Sequence, residues 1–166
     1  MITITSLCLV FACLSAQGQE NKSKSNFTIL TDKILFSTNN LLPGKADEEI
    51  MIPTKFQVFL PKNLITYKYS STEFEFIYKN KQIIFIKTNW NKEINPRDTI
   101  YNISQNELED FFDGSDWNFI NPDKVKLKLT RCYIVMKSKY ATILLYNIAE
   151  KNKDDYLSFA KSFKKI

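Results

Sequence analysis

Between Lys55 and Lys87, apolar side chains recur at every second position: Phe56, Val58 and Leu60, then Ile65, Tyr67 and Tyr69, then Phe74, Phe76 and Tyr78. A period of two puts each set on one side of an extended chain, which marks strands buried on one face. Gln82–Lys87 (Gln-Ile-Ile-Phe-Ile-Lys) is apolar on both faces and predicts a central strand covered from both sides. Its link to the preceding run is Lys79-Asn80-Lys81, short enough to force a hairpin, with Asn80 tolerant of a positive φ. Short links favour antiparallel pairing, so this stretch restricts the chain to folds built on an antiparallel sheet.

The flanking segments extend that frame. Phe27–Leu30 and Lys33–Ser37 read as short strands, and Asn39–Pro53 as a connecting loop that turns at Pro43-Gly44. After a loop over Thr88–Asn102, Ser104 and Glu107 form a capping box, with Ile103 and Leu108 at the staple positions. Leu108, Phe111 and Phe112 share one face of that helix, and Gly114 stands where a left-handed terminator belongs. Val125, Leu127 and Leu129 alternate with Lys126, Lys128 and Thr130 as a strand. Tyr133–Met136 and Ala141–Ile148 are further strands, turning at Ser138-Lys139.

A second helix is predicted over 153–165, because Tyr156, Phe159, Ala160, Phe163 and Ile166 form one stripe. Asp154 and Asp155 at its start and Lys161, Lys164 and Lys165 toward its end complement the helix dipole. The order of elements predicts an α+β fold: a mainly antiparallel sheet of about six to eight strands packed by two helices, 104–113 and 153–165. Thirteen Phe and eight Tyr supply ample material for one core.

The chain opens differently. From Met1 to Gly18 there is no charged side chain, and residues 7–14 are almost continuously apolar. That is too short to span a bilayer, which takes roughly 20 apolar residues, but suits the h-region of a signal peptide. Ala16-Gln-Gly18 places small residues before a cleavage point between Gly18 and Gln19. The competing route is lipidation at Cys13, because Val10-Phe11-Ala12-Cys13 resembles a bacterial lipobox. The expected organisation is a signal peptide over 1–18, a disordered polar linker over 19–26 and a single α+β domain over 27–166. The expected location is periplasmic or extracellular, or membrane-anchored if Cys13 is lipidated.

The run Phe56-Gln-Val-Phe-Leu-Pro61, the strand Phe74–Tyr78, and the strand Ala141–Ile148 leading into a helix that carries Ser162-Phe163-Lys164 together resemble the PsbP-like and Mog-type α/β/α sandwich over 54–166. That superfamily spans photosystem accessory proteins and binders of small GTPases. The resemblance therefore implies a non-enzymatic binding scaffold and carries over no functional residue. The Asn-, Lys- and Ile-rich composition with an Ala-Gln-Gly-Gln processing site is also similar to small secreted or lipoprotein-class proteins of Gram-negative bacteria.

The residues available for chemistry are few. There is no histidine, which removes His-dependent triads, the usual zinc sites and imidazole switches. After cleavage at Gly18 one cysteine remains, Cys132, which cannot form an internal disulfide and reads as a buried inert thiol. Asp110, Asp113, Ser115, Asp116 and Asn118 offer oxygen ligands around a glycine, but the spacing fits no EF-hand loop and reads as a solvated turn. Glu73 and Glu75, roughly 7 Å apart on one strand face, are a carboxylate pair with glycosidase-like separation; the simpler reading is two acids on a solvent face. Trp90 and Trp117 flank the first helix as buried loop residues or as exposed anchors for a sugar or partner.

From Lys124 to Ile166 there are eleven Lys or Arg and three acids, a net +8 in a chain of +5. Such a basic region can meet anionic lipid headgroups, acidic glycans or an acidic protein; no aromatic–basic motif of a nucleic-acid module accompanies it. No metal, cofactor or catalytic residue is assigned. These features favour an exported non-catalytic binding or accessory protein of the bacterial cell envelope, whose partner is a protein or an anionic envelope component. The alternatives are a small carboxylate-dependent hydrolase or toxin-type enzyme, which requires an acid of raised pKa in a cleft, and an immunity protein that inhibits a toxin.

Overall fold

The computed structural model describes residues 24–43, 51–70, 72–88, 98–113 and 125–166. The segments read as signal peptide and lipobox, with Gly18, Gln19 and Cys13, lie outside the described residues, as do Trp90, Gly114, Ser115, Asp116, Trp117 and Asn118. The strands are β1 (Lys24–Ile29), β2 (Lys33–Pro43), β3 (Met51–Pro61), β4 (Leu64–Ser70), β5 (Glu73–Tyr78), β6 (Ile83–Thr88), β7 (Thr99–Asn102), β8 (Arg131–Lys137), β9 (Ala141–Ala149) and β10 (Lys164–Lys165). The helices are α1 (Gln105–Phe112) and α2 (Lys153–Lys161). The fold is α+β: a four-stranded sheet in the order β1-β2-β3-β10 and a six-stranded sheet in the order β4-β5-β6-β9-β8-β7, both antiparallel, packed by the two helices.

The six-stranded sheet is the middle layer, and alternation decides what each face meets. One face carries Phe74, Phe76, Ile84, Ile86, Ile134 and Ile143 against Ile34, Phe36, Phe56, Val58 and Leu60 of the smaller sheet. Tyr156 and Ala160 bring α2 into the same core, where the helix packs on β3 and β9. The opposite face presents Ile83, Phe85, Tyr133, Val135 and Leu144 to Leu108 and Phe112 of α1. β6 is thus central and covered from both sides, as its sequence predicts. The Ser104/Glu107 capping box is present in both directions, and Asn80 has φ 60° in the β5–β6 turn.

Several expectations are corrected. The strands divide into two sheets because the two-residue link Lys62-Asn63 carries the chain from β3 to β4 without pairing them. β1 begins at Lys24, inside the segment read as a disordered linker. β2 and β3 form one long antiparallel pair reaching Pro43 and Met51, where a loop is expected from Asn39 to Pro53. Thr99–Asn102, read as loop, is edge strand β7.

Residues 125–128 form no strand. Gln105 occupies their backbone instead: its Nε2 donates to Val125 O at 2.7 Å, and its Oε1 accepts from Leu127 N–H at 3.0 Å, leaving Leu127 and Leu129 exposed.

The second helix ends at Lys161, not at 165. Ser162 Oγ accepts from Phe59 N–H on the edge of β3 at 2.8 Å and donates to Phe159 O at 2.5 Å, so the chain leaves the helix there. It then adds β10 to that edge. Ile166 accordingly lies exposed rather than on the helix stripe, and Lys164 and Lys165 leave the helix terminus.

Phe36 is the hub of the inter-sheet core: fully buried, with ring neighbours Phe27, Phe56, Tyr67, Phe74 and Phe76 at centroid separations of 4.9–6.0 Å. Phe36→Ala is expected to destabilise the protein by about 3–5 kcal/mol, read as a lowered urea midpoint. Leu129→Ala, at an exposed position, is expected to shift it by less than about 0.5 kcal/mol.

Candidate functional site

The largest described cavity, about 570 Å³, opens at the end of the sandwich where the β1–β2, β3–β4 and β5–β6 turns meet the start of α2. Its framework is held by side chains from distant segments. Asn147, at φ 56° on β9 beside a register shift between β8 and β9, donates through Nδ2 to Asn80 O and Lys81 O at 3.0 and 2.9 Å. A bulge of this kind re-aims a side chain out of the ladder, and here it clamps a turn in which Asn80 and Lys81 both have positive φ (60° and 57°). Non-glycine residues in that region cost of order 1 kcal/mol each, so the turn depends on the clamp. Gln82 ties the same turn to α2: its Nε2 donates to Lys79 O, while Oε1 accepts from Ala149 N–H and Asn152 Nδ2.

Tyr78 lines this cavity. It is 2% exposed, its ring meets Tyr156 edge-on at 5.3 Å, and its hydroxyl is buried with no hydrogen-bond partner among the described residues. Burial, reinforced by the neighbouring Tyr156, drives its pKa far above the ordinary phenol value, so the hydroxyl stays a neutral donor. Lys62, Lys79 and Lys151 line the cavity with Asp32 and Asp155.

The carboxylate pair lies elsewhere, and the expectation of a solvent face is overturned. Glu73 and Glu75 are 4% and 2% exposed. Their strand, β5, pairs with a β6 that is covered on both faces, so β5 shares the cover. Register places Lys87 opposite Glu73, and their ion pair closes at 2.9 Å. Glu75 stands between Phe85 of β6 and Lys68 of β4, with Oε2 buried and without a hydrogen-bond partner among the described residues. Desolvation pushes its pKa up to about 7, against a smaller opposing pull from Lys68. Neither acid lines a described cavity.

Cys132 is buried, as its sequence context predicts. Its thiol donates to Glu150 Oε2 at 2.6 Å; desolvation, with that bond, pushes its pKa to about 11, which keeps it a thiol rather than a thiolate. Asp110 and Asp113 are exposed on and just after α1. Lys126 and Lys128 are exposed on the irregular segment pinned by Gln105 rather than on a strand. No helix among the described residues is long and apolar enough to cross a membrane.

The burial of the acids had a signal in the sequence: a hairpin centred on Asn80 sets Lys87 opposite Glu73. The cavity had none, because Tyr78 reads only as another apolar member of its strand. No protein-family model, curated protein or solved structure matches the chain.

Glu75 gives the fold a pH dependence with a definite sign. Its pKa is higher folded than unfolded, so folding favours the neutral acid; the stabilisation is complete below about pH 4.5 and is lost as pH rises through about 7. With no histidine in the chain, little else titrates between pH 5 and 8. Urea midpoints are expected to fall across that range, and Glu75→Gln is expected to flatten the profile and raise stability at pH 8 by about 2 kcal/mol. A wild-type profile that is flat or rises would contradict this assignment.

Proposed function

We propose that the chain is an exported, non-catalytic binding or accessory protein of the bacterial cell envelope that meets an anionic envelope component through its basic C-terminal end. The supporting observation is a convergence of lysines from distant segments. β10 sets Lys164 opposite Gln57 and Lys165 opposite Phe56, and Ile166 N–H donates to Lys55 O at 3.1 Å, so Lys55, Lys164 and Lys165 are neighbours. Lys139 and Lys165 both approach the Tyr140 ring, at 5.4 and 4.7 Å from its centroid. Ammonium groups gathered on one exposed aromatic make a compact positive surface, the footprint that attracts anionic headgroups or acidic glycans. The apolar, uncharged opening segment supports export.

The carboxylate-enzyme reading keeps one supporting observation, the raised pKa of Glu75, but Glu75 lines none of the cavities among the described residues. An immunity protein would use the same kind of surface.

The protein is expected to co-sediment with vesicles containing phosphatidylglycerol and not with phosphatidylcholine vesicles. Binding should weaken steeply between about 50 and 300 mM salt as the charges are screened, and the triple substitution Lys139→Ala, Lys164→Ala, Lys165→Ala should reduce it by about tenfold or more. Equal sedimentation with both vesicle types, or none with either anionic vesicles or an acidic polysaccharide, would sink the reading. Mass spectrometry of the mature N-terminus tests export directly: Gln19 or a diacylglyceryl Cys13 supports it, and an intact Met1 rejects it.

A further inference from the structure

We infer that the turn Lys128–Arg131, with the pinned segment that leads into it, is a membrane-contact element that seats Leu127 and Leu129 in the interfacial layer of an anionic lipid bilayer. The turn precedes β8, whereas Lys139 and Tyr140 follow it. It shares no residue with the Lys139, Lys164 and Lys165 surface, so this inference goes beyond the proposed function and either contact can fail without the other.

The first argument is residue type. Arg131 N–H donates to Lys128 O at 3.0 Å, which closes a turn with Leu129 and Thr130 at its tip. Turn tips are the usual place of Gly, Pro, Asn, Asp and Ser. Here the tip carries a fully exposed leucine, and Leu127 is exposed two positions earlier. One exposed leucine is ordinary; two on a segment whose backbone is fixed cannot fold back onto the core.

The second argument is that fixing. The Gln105 amide holds Val125 O and Leu127 N–H, and Tyr133 Oη donates to Lys126 O at 3.4 Å. A contact element already held in shape loses little ordering entropy when it docks.

The third argument is the company the leucines keep. They line one groove of about 410 Å³ with Ile103, Lys128, Arg131 and Lys153. Lys126 is exposed beside them, and Lys126, Lys128 and Arg131 join no salt bridge among the described residues. Glu150, on the same groove, is engaged by Cys132 and Lys153. Leucines interleaved with lysines fit a bilayer better than a protein. Protein interfaces are depleted of lysine. At a bilayer, ammonium groups stay with the headgroups while their methylene stems and the leucines enter the acyl boundary. The cations select anionic headgroups, at roughly fivefold in affinity for each Lys or Arg near the surface.

Leu129→Trp, read against wild type, reports the contact locally. On vesicles of equal parts phosphatidylglycerol and phosphatidylcholine, its added emission is expected to shift to the blue and to be quenched by brominated acyl chains. Phosphatidylcholine alone should give neither effect. Leu127→Ser with Leu129→Ser is expected to lower vesicle affinity about tenfold or more at an unchanged thermal midpoint, since both positions are exposed. Lys128→Ala with Arg131→Ala should lower it by about tenfold or more as well. Normal vesicle binding by the Lys139/Lys164/Lys165 triple substitution would sink the other surface and leave this one standing. An unshifted Leu129→Trp emission, a double serine variant that binds like wild type, or an equal shift on phosphatidylcholine overturns the inference, even where sedimentation through the other surface persists. A shift that needs detergent-extracted envelope protein in place of vesicles overturns it too, and makes the occupant a protein.

Discussion

Phe36 and Phe56 reach from the smaller sheet into the side chains of Phe74 and Phe76 on the larger one, with ring centroids 4.9–6.0 Å apart and mostly tilted or edge-on. Rings in this geometry bury large areas and add about 0.5–1.5 kcal/mol per pair beyond area alone. They also set the distance between the sheets, and with it the position of every element that bridges them. α2 has room for Tyr156 and Ala160 because the four-stranded sheet ends at β3 apart from the short β10. Phe163 then stacks on Phe56 at 5.1 Å and closes the open side. Without that aromatic layer neither sheet has a partner for the apolar face it turns to the other, and Cys132, the one cysteine among the described residues, is a free thiol that adds no staple.

Covering the larger sheet on its second face with α1 has a chemical consequence. Any charge on β5 that points toward α1 must be neutralised or paired, because an unpaired ion buried there costs several kcal/mol. The two glutamates resolve this differently within one strand. Glu73 takes the cross-strand ammonium of Lys87, while Glu75 sits opposite Phe85 and holds its proton. The same alternation that marks β5 as a strand thus forces one of its acids to become a titrating group near neutral pH. Its raised pKa follows from the layer order and requires no catalytic purpose.

Local signals were readable wherever a residue's partner lies nearby in the chain. The capping box at Ser104 and Glu107, the positive φ of Asn80, the two-sided burial of β6 and the start of α2 all follow from neighbours within a few positions. Misreadings gather where the partner is distant. Val125, Leu127 and Leu129 alternate like a strand, yet the groups that satisfy their backbone belong to the Gln105 side chain about twenty residues earlier. Phe163 and Ile166 continue a helical spacing, but the unpaired edge of β3 competes for that backbone and wins it at Ser162. The division into two sheets was hidden by a link of two residues that looks like a hairpin.

The candidate site belongs to that second category, and its parts explain one another once assembled. The β5–β6 turn tolerates two residues of positive φ because Asn147 accommodates their carbonyls. Asn147 can reach them because the bulge in β8–β9 rotates it out of the ladder. Gln82 then uses both ends of its amide to join that turn to β9 and to Asn152 at the entry to α2. Three amide side chains therefore do at this end what the aromatic layer does in the middle: they fix independent segments to one geometry. The difference lies in what is left over. The aromatic layer closes on its own contacts, whereas at this end the buried Tyr78 hydroxyl has no hydrogen-bond partner among the described residues.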